Sequence, residues 1–287
     1  AIPPGGEIAE QVWHARRLVG VEGVRNVVFM GMGEPLDNYE EVVVSLRALT
    51  HQSMFHLSCK NITVSTVGVP ARIKQLADDA PRVNLALSLH APTQALRAEL
   101  LPSAAGTEHT LARLVVALRY HRRVTGRGAM LEYIVIGGVN DSEEHARALG
   151  AIIAKELMSD EGPGDNGIGG GCSGNAGEES GGGESLGESR GVGGGGGGVH
   201  SGDAAVSVSG GGGGDKGVID RGNNSQPKGY YVNLIPYNPT SVGTTFGYTV
   251  PQDSALERMQ EIIAGEFGVK AKVRWSTQKG REVDGAC

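Results

Sequence analysis

Cysteine is scarce in this chain: Cys59, Cys172 and Cys287 are three residues in 287, and no two are close neighbours. Such spacing excludes a disulfide framework and any zinc or iron–sulfur site made from this chain's thiols alone, and it suits a reducing compartment. Long apolar runs are missing too. No stretch of 18 apolar residues occurs and no basic-then-apolar segment opens the chain, so the sequence as it stands neither spans a membrane nor displays an export signal. Position 1 is Ala rather than Met. Residues upstream are therefore expected, and any targeting peptide with them.

Glycine is abundant instead, and unevenly placed. Residues 160–229 hold 28 of the 47 glycines together with 10 acidic and 4 basic residues, which leaves 22 acids and 22 bases elsewhere. The net charge of −6 thus belongs to that segment. With Gly193 to Gly198 and Gly210 to Gly214 inside it, the segment cannot bury enough apolar surface to offset chain entropy, and disorder is expected. Three regions follow: a first folded part at 1–159, the glycine-rich insert at 160–229 and a second folded part at 230–287. Cys172, within the insert, receives no role.

Outside the insert, short aliphatic runs alternate with helical periodicity. Helices are expected over 6–19, 39–49, 111–123, from Asp141-Ser142-Glu143-Glu144 to Met158, and over 254–267, with a further one starting at Pro70. Strands are expected at 26–30 (NVVFM), 61–67 (NITVSTV), 83–89 (VNLALSL), 130–136 (MLEYIVI), 230–236 (YYVNLIP) and 269–275 (VKAKVRW). Repeated βα units imply an α/β fold with a mostly parallel sheet, either doubly wound or closed or half-closed as a barrel. The apolar strand runs favour a sheet covered on both faces. In a barrel the C-terminal strand ends carry the chemistry. Here they read Gly31-Met32-Gly33-Glu34-Pro35, Ser65-Thr66-Val67-Gly68, Ser88-Leu89-His90 and Asn238-Pro239. Taken singly, Glu34 is as good a helix-capping acid as a ligand for an ammonium group, and Asn238 as good a turn former as an amide ligand. Polar strand ends that converge on one mouth point to a site. A basic cluster, Arg119, His121, Arg122, Arg123 and Arg127, suits either a solvated helix end or nucleic-acid phosphate.

In order, the segments Gly6-Glu7-Ile8-Ala9-Glu10-Gln11-Val12, VVFMGMGEPLDNY, ITVSTVGVP, LALSLHAP, LEYIVIGGVND, NLIPYNP and KGREVDGAC resemble the RlmN/Cfr family of radical S-adenosylmethionine (SAM) enzymes that methylate C2 of adenine in RNA. The resemblance implies a partial (β/α) barrel, here lacking its first strand and carrying the long disordered insert. It implies SAM contacts at Gly33, Glu34, Ser65, Ser88, Leu89, His90 and Asn238, and a methyl-carrying cysteine at Cys287. C2 of adenine is too electron-poor to attack a sulfonium methyl, whereas a thiolate is a competent nucleophile, which is why a cysteine relay serves. The family also uses a [4Fe-4S] cluster held by C-x-x-x-C-x-x-C, and a second, resolving cysteine. This chain has neither, and both are expected upstream of Ala1 together with the small RNA-binding domain. The 287-residue chain alone is accordingly expected to be inactive.

The partners implied are ribosomal RNA, and transfer RNA as a second substrate, with an electron donor such as flavodoxin or ferredoxin. A monomer is expected, away from membranes, in the cytoplasm or an organelle (plastid or mitochondrion). Two alternatives stay open. One is a cluster-less, non-catalytic SAM- or RNA-binding homologue. The other is a barrel hydrolase or lyase using Glu34, His90 and Glu132 as acid and base groups.

Overall fold

Each βα unit of the sequence closes onto its neighbour to form one sheet. The computed structural model describes residues 3–30, 33–159, 206–210 and 229–274. The strands are β1 (Val24–Phe29), β2 (Ile62–Thr66), β3 (Asn84–Ser88), β4 (Met130–Val135), β5 (Val206–Gly210), β6 (Tyr231–Pro236) and β7 (Lys270–Val273). The helices are α1 (Gly5–Val19), α2 (Tyr39–Thr50), α3 (Pro70–Asp79), α4 (Gln94–Leu100), α5 (Leu111–Thr125), α6 (Glu143–Ala151), α7 (Ser241–Thr245) and α8 (Asp253–Phe267). Sheet order is β5-β1-β2-β3-β4-β6-β7, with every pair parallel except β5 on β1. Six parallel strands in chain order, joined by right-handed crossovers, keep their helices on one face, as in a barrel wall.

Alternation along the strands shows which face that is. Val27, Phe29, Ile62, Val64, Leu85, Leu87, Leu131, Tyr133, Val135, Val232 and Leu234 are at most 2% exposed and share one apolar core with the helices. The intervening residues, among them Thr63, Ser65, Ala86, Ser88, Met130, Glu132 and Asn233, lie outside that core. On this second face Ser65, Ala86 and Glu132 are themselves buried, at 5%, 0% and 3% exposure. That face mixes small or β-branched residues (Thr63, Ser65, Ala86, Ser88) with Met130, Glu132 and Asn233.

That second face is concave. Ser65 on β2 donates to Glu132 on β4 at 3.1 Å, over the intervening β3. In a flat sheet two strand spacings are close to 10 Å, about the full reach of an extended Ser–Glu pair, so the bond favours a sheet curved towards this face. Ala86, opposite Ser65 in the register, has no bulk to keep the two apart.

Within the segment expected to be disordered, Val206–Gly210 (VSVSG) forms a strand on the edge of β1. An edge strand presents unpaired N–H and C=O groups, and an alternating Val-Ser run is a suitable partner for them. The rest of that segment, 160–205 and 211–228, lies outside the described residues, as do Gly31, Met32 and residues 275–287. Two helices had no counterpart in the sequence reading: α4 and α7. Both are short, and α4 owes its start to the Thr93 hydroxyl, which accepts from Leu96 N–H. The helix expected to run to Met158 does so, but its last part, Ile152–Leu157, is a π-helix. No described helix is long and apolar enough to cross a membrane.

A candidate SAM site at the strand tips

The site is built from what the parallel strands deliver at their C-terminal ends. Glu34 follows β1. Its carboxylate accepts from Leu36 N–H at 2.9 Å and from Val67 N–H at 2.6 Å, so it caps the short turn Pro35–Asn38 and ties the tip of β1 to the tip of β2. Burial raises its pKa while those backbone donors pull it down. Gly33, beside it, is exposed at φ +115°. The capping role and the ligand role foreseen for Glu34 are thus compatible, because each carboxylate oxygen keeps a second lone pair.

Ser65 and Ser88 lie on the concave face. Glu132, which Ser65 engages, is 3% exposed, and desolvation raises its pKa against the pull of Ser65 and Arg274. Ser88 pairs with Glu132 in register, and Glu132 pairs with Asn233, so a polar row crosses three strands. Asn233 in turn donates to Met130 Sδ at 2.9 Å. Neither Glu132 nor Asn233 stood among the expected SAM contacts. A polar residue inside an otherwise apolar strand, as in MLEYIV and YVNLIP, is the signal that could have found them.

His90 has left-handed backbone, φ 55°, uncommon for a non-glycine residue. The β4 strand fixes it there. Its Nδ1 accepts from Ile134 N–H at 3.1 Å, and its carbonyl accepts from the Asn140 amide at 2.9 Å. Burial and the nearby Arg97 charge push the imidazole pKa down to about 4. His90 is therefore neutral at pH 7, and with Nδ1 accepting, the ring proton sits on Nε2 as a donor. Leu89 is buried with its N–H on the Glu132 carbonyl at 2.9 Å, and Asn238 follows β6 at 6% exposure.

Arg97, on α4, was missed altogether. It is fully buried; Nη2 donates to the carbonyls of Val67 and Ser88, whereas Nε and Nη1 have no partner. Desolvation lowers its pKa to about 10. No signal in the sequence marks it, since its meaning comes from a short helix folding back over the tips of β2 and β3.

This donor set suits SAM. It offers a carboxylate for an ammonium, hydroxyls and an amide for a ribose and an adenine edge, a neutral imidazole N–H, and a guanidinium with unpaired N–H groups at the same end. An iron–sulfur cluster is different. Three thiolates are needed, and the described residues include one cysteine, Cys59, which precedes β2 at the opposite end of the sheet. Among the described residues no His/Cys/Asp/Glu group could hold a metal ion. Cys287 lies outside the described residues.

The basic cluster also sits at that opposite end. Arg127 precedes β4 and donates to the Arg82 carbonyl and to Asn84, the first residue of β3. Arg122 donates to the carbonyls of Leu157 and Met158 at 3.1 and 3.2 Å, and Arg123 lies over the Tyr120 ring at 5.3 Å. His121 is buried, with its pKa lowered to about 4.

Polar tips on a curved parallel sheet define a partial barrel of the radical SAM type, and the chain is similar over 99% of its length to the crystal structure of a radical SAM methyltransferase from Sphaerobacter thermophilus. There the TM-score is 0.68 and the identity 27%, covering 61% of that chain. No family model matches the sequence. Curated relatives do: 46% identity over 150 residues with the probable dual-specificity RNA methyltransferase RlmN of Salinibacter ruber, and 41% over 148 residues with that of Thermotoga neapolitana. These alignments take in 51% and 52% of this chain and 41% and 42% of the relatives' length. The chain is similar to these RlmN proteins, and its alignments span about two-fifths of the curated relatives it matches.

Proposed function

We propose that this chain supplies the SAM-binding barrel of an RNA methyltransferase that places a methyl group on C2 of adenine in ribosomal RNA, and in transfer RNA as a second substrate. The observation that carries the reading is the convergence of Glu34, Ser65, Ser88, His90 and Asn238 at the C-terminal tips of β1, β2, β3 and β6. Glu34 would receive the ammonium of SAM beside Gly33, while His90 Nε2–H and the hydroxyls and amide would orient the ribose and adenine. Leu89 would line the same tip.

Cys287 would carry the methyl group. Its thiolate would attack the sulfonium methyl of SAM, with the methyl–sulfur bond breaking and S-adenosylhomocysteine leaving with the electron pair. An iron–sulfur cluster, whose ligands are not among the described residues, would supply the electron for reductive SAM cleavage. The native form would therefore draw on cysteines outside this chain, on an electron donor of the flavodoxin or ferredoxin kind, and would act as a monomer in the cytoplasm or an organelle.

The test has two arms. In calorimetric titration the 287-residue chain should bind SAM, and Ser65→Ala or Asn238→Ala should weaken binding about ten-fold, roughly 1.4 kcal/mol. The longest native form, reconstituted anaerobically with iron and sulfide, should yield 2-methyladenosine in RNA by nucleoside mass spectrometry, whereas the 287-residue chain should yield none. Product formed at an unchanged rate by Cys287→Ala would sink the relay.

A further inference from the structure

The loop that leaves β6 beside Asn238 is built around three aromatic rings. Tyr237 is 8% exposed, and its hydroxyl accepts from Thr240 N–H at 3.2 Å. Gly243 sits over that hydroxyl so closely that a Cβ would lie 1.7 Å from it, so any larger residue would push the Tyr237 ring out of place. Gly247, at φ +72°, then turns the chain back, and Tyr248 meets Tyr237 edge to face with 6.0 Å between centroids. Phe246 stacks on Tyr248 at 5.8 Å and 26° between planes. Thr249 fastens the loop to the end of β4: Gly137 N–H donates to its carbonyl at 2.9 Å, and its hydroxyl donates to the Gly137 carbonyl at 3.1 Å. A loop so firmly tied nevertheless leaves Phe246 69% exposed, in the loop that follows the C-terminal end of β6.

We infer that Phe246, backed by Tyr248 and Tyr237, is a stacking shelf for an unpaired base of single-stranded RNA. Four observations select that occupant. An aromatic ring open on one side fits a second flat ring, and base-on-aromatic stacking is how proteins hold splayed-out bases. Residues 237–252 contain no Asp, Glu, Lys or Arg but are rich in hydroxyls (Thr240, Ser241, Thr244, Thr245, Thr249), a composition suited to a base and its sugar and unsuited to phosphate. In this loop the large exposed apolar residues are Phe246 and Val250, far less than the roughly 800 Å² per partner that a stable protein interface needs. Finally, the basic cluster lies at the other end of the sheet, so bases that reach the SAM site must be held by other means.

The inference rests on the RNA-substrate reading above and names the surface that would present the base. It is tested on the whole 287-residue chain by anisotropy with a labelled oligoadenylate and with the same strand carrying an abasic site at its centre. Wild type should prefer the intact strand. Phe246→Ala should lose about ten-fold in affinity for it and lose the preference, and Phe246→Trp should keep both. SAM titration on each variant reports folding and an intact site. Equal binding and equal discrimination by wild type and Phe246→Ala would overturn the shelf while leaving the RNA reading in place. Absence of RNA binding by wild type, with SAM binding retained, would overturn the shelf, and failure of the longest native form to bind the strand as well would overturn the RNA reading. Loss of self-association on Phe246→Ala, without change in RNA binding, would make the ring a contact between copies and also overturn the shelf.

Discussion

The two ends of this sheet spend their polar residues differently. At the N-terminal ends of the strands, Arg122 and Arg127 give their guanidinium protons to backbone carbonyls and to Asn84, closing helix termini and loops. At the C-terminal ends, Glu34, Ser65, Glu132, His90 and Asn140 are bonded to one another's strands, and the left-handed backbone of His90, the unpaired nitrogens of Arg97 and the exposed Phe246 gather there. Buried polar groups at the first end finish the fold. At the second end they hold a shape that the fold alone does not require. Clustering of charge along the sequence is thus a poor guide to which end faces a ligand, and position on the strand is a good one.

The largest expected effect comes from the residue that holds the second end in shape. Asn140 is fully buried; its Oδ1 accepts from Ile136 N–H at 2.7 Å, and its Nδ2 donates to the carbonyls of His90 and Ile134 at 2.9 and 2.7 Å. Asn140→Leu leaves three buried backbone groups without partners, at about 1–3 kcal/mol each. A loss of roughly 4 kcal/mol in urea unfolding is expected, together with loss of SAM binding in whatever fraction stays folded. Retention of full stability would mean that the tips are shaped by the strands alone and that the contrast between the ends is not real.

Most of the fold was legible in the sequence because it rests on periodicity. Each expected strand lies within a residue or two of its observed bounds, and Pro70 and Ser142 mark the starts of α3 and α6 as anticipated. The strand tips were legible too, since in a barrel chain position alone tells which end a residue occupies. What escaped depends on curvature and on loops. The approach of Ser65 to Glu132 is favoured by a bent sheet, Arg97 needs the short helix α4 to fold back, and the ring stack at Phe246 needs two glycines to turn a loop on itself. None of these leaves a periodic trace.

A pair of buried histidines, one at each end, sharpens the contrast. His90 and His121 both have folded pKa values near 4, below the unfolded value of 6.5. The folded state therefore binds fewer protons, and each histidine's contribution is fully present above pH 6.5 and is lost as pH falls through 6.5 towards 4. Each difference of about 2.5 units corresponds to roughly 3 kcal/mol at the acid limit, so stability should decline steeply over that window. The two differ in what else they do. His121 Nδ1 has no hydrogen-bond partner, so His121→Met should remove its share of the acid loss at a cost near neutral pH below about 1.5 kcal/mol. His90→Met should also flatten the curve but should lose about 2 kcal/mol at pH 7, through the orphaned Ile134 N–H and the left-handed backbone. His90→Asn, which tolerates that backbone, should recover part of it. Equal behaviour of the two histidines from pH 4 to 8 in denaturant melts would contradict the separation.

The smallest effect is the one most able to break the comparison. If the arginines at the strand starts only finish the fold, Arg127→Ala should cost about 1–2 kcal/mol through its lost bonds to Arg82 and Asn84, and Arg123→Ala, which gives up a contact with the half-buried Tyr120 ring, about 0.5 kcal/mol or less. Neither should alter RNA affinity or its dependence on salt. A phosphate contact behaves otherwise: removing it weakens binding to every sequence alike and lowers the slope of log affinity against log salt by about 0.7 for a single strand. Titration of oligoadenylate at several salt concentrations therefore separates a fold-closing arginine from an RNA-binding one. A slope reduced by that amount in Arg123→Ala, with stability unchanged, would show that RNA runs across both ends of the sheet, and the division of labour between them would have to be redrawn around a strand that spans the molecule.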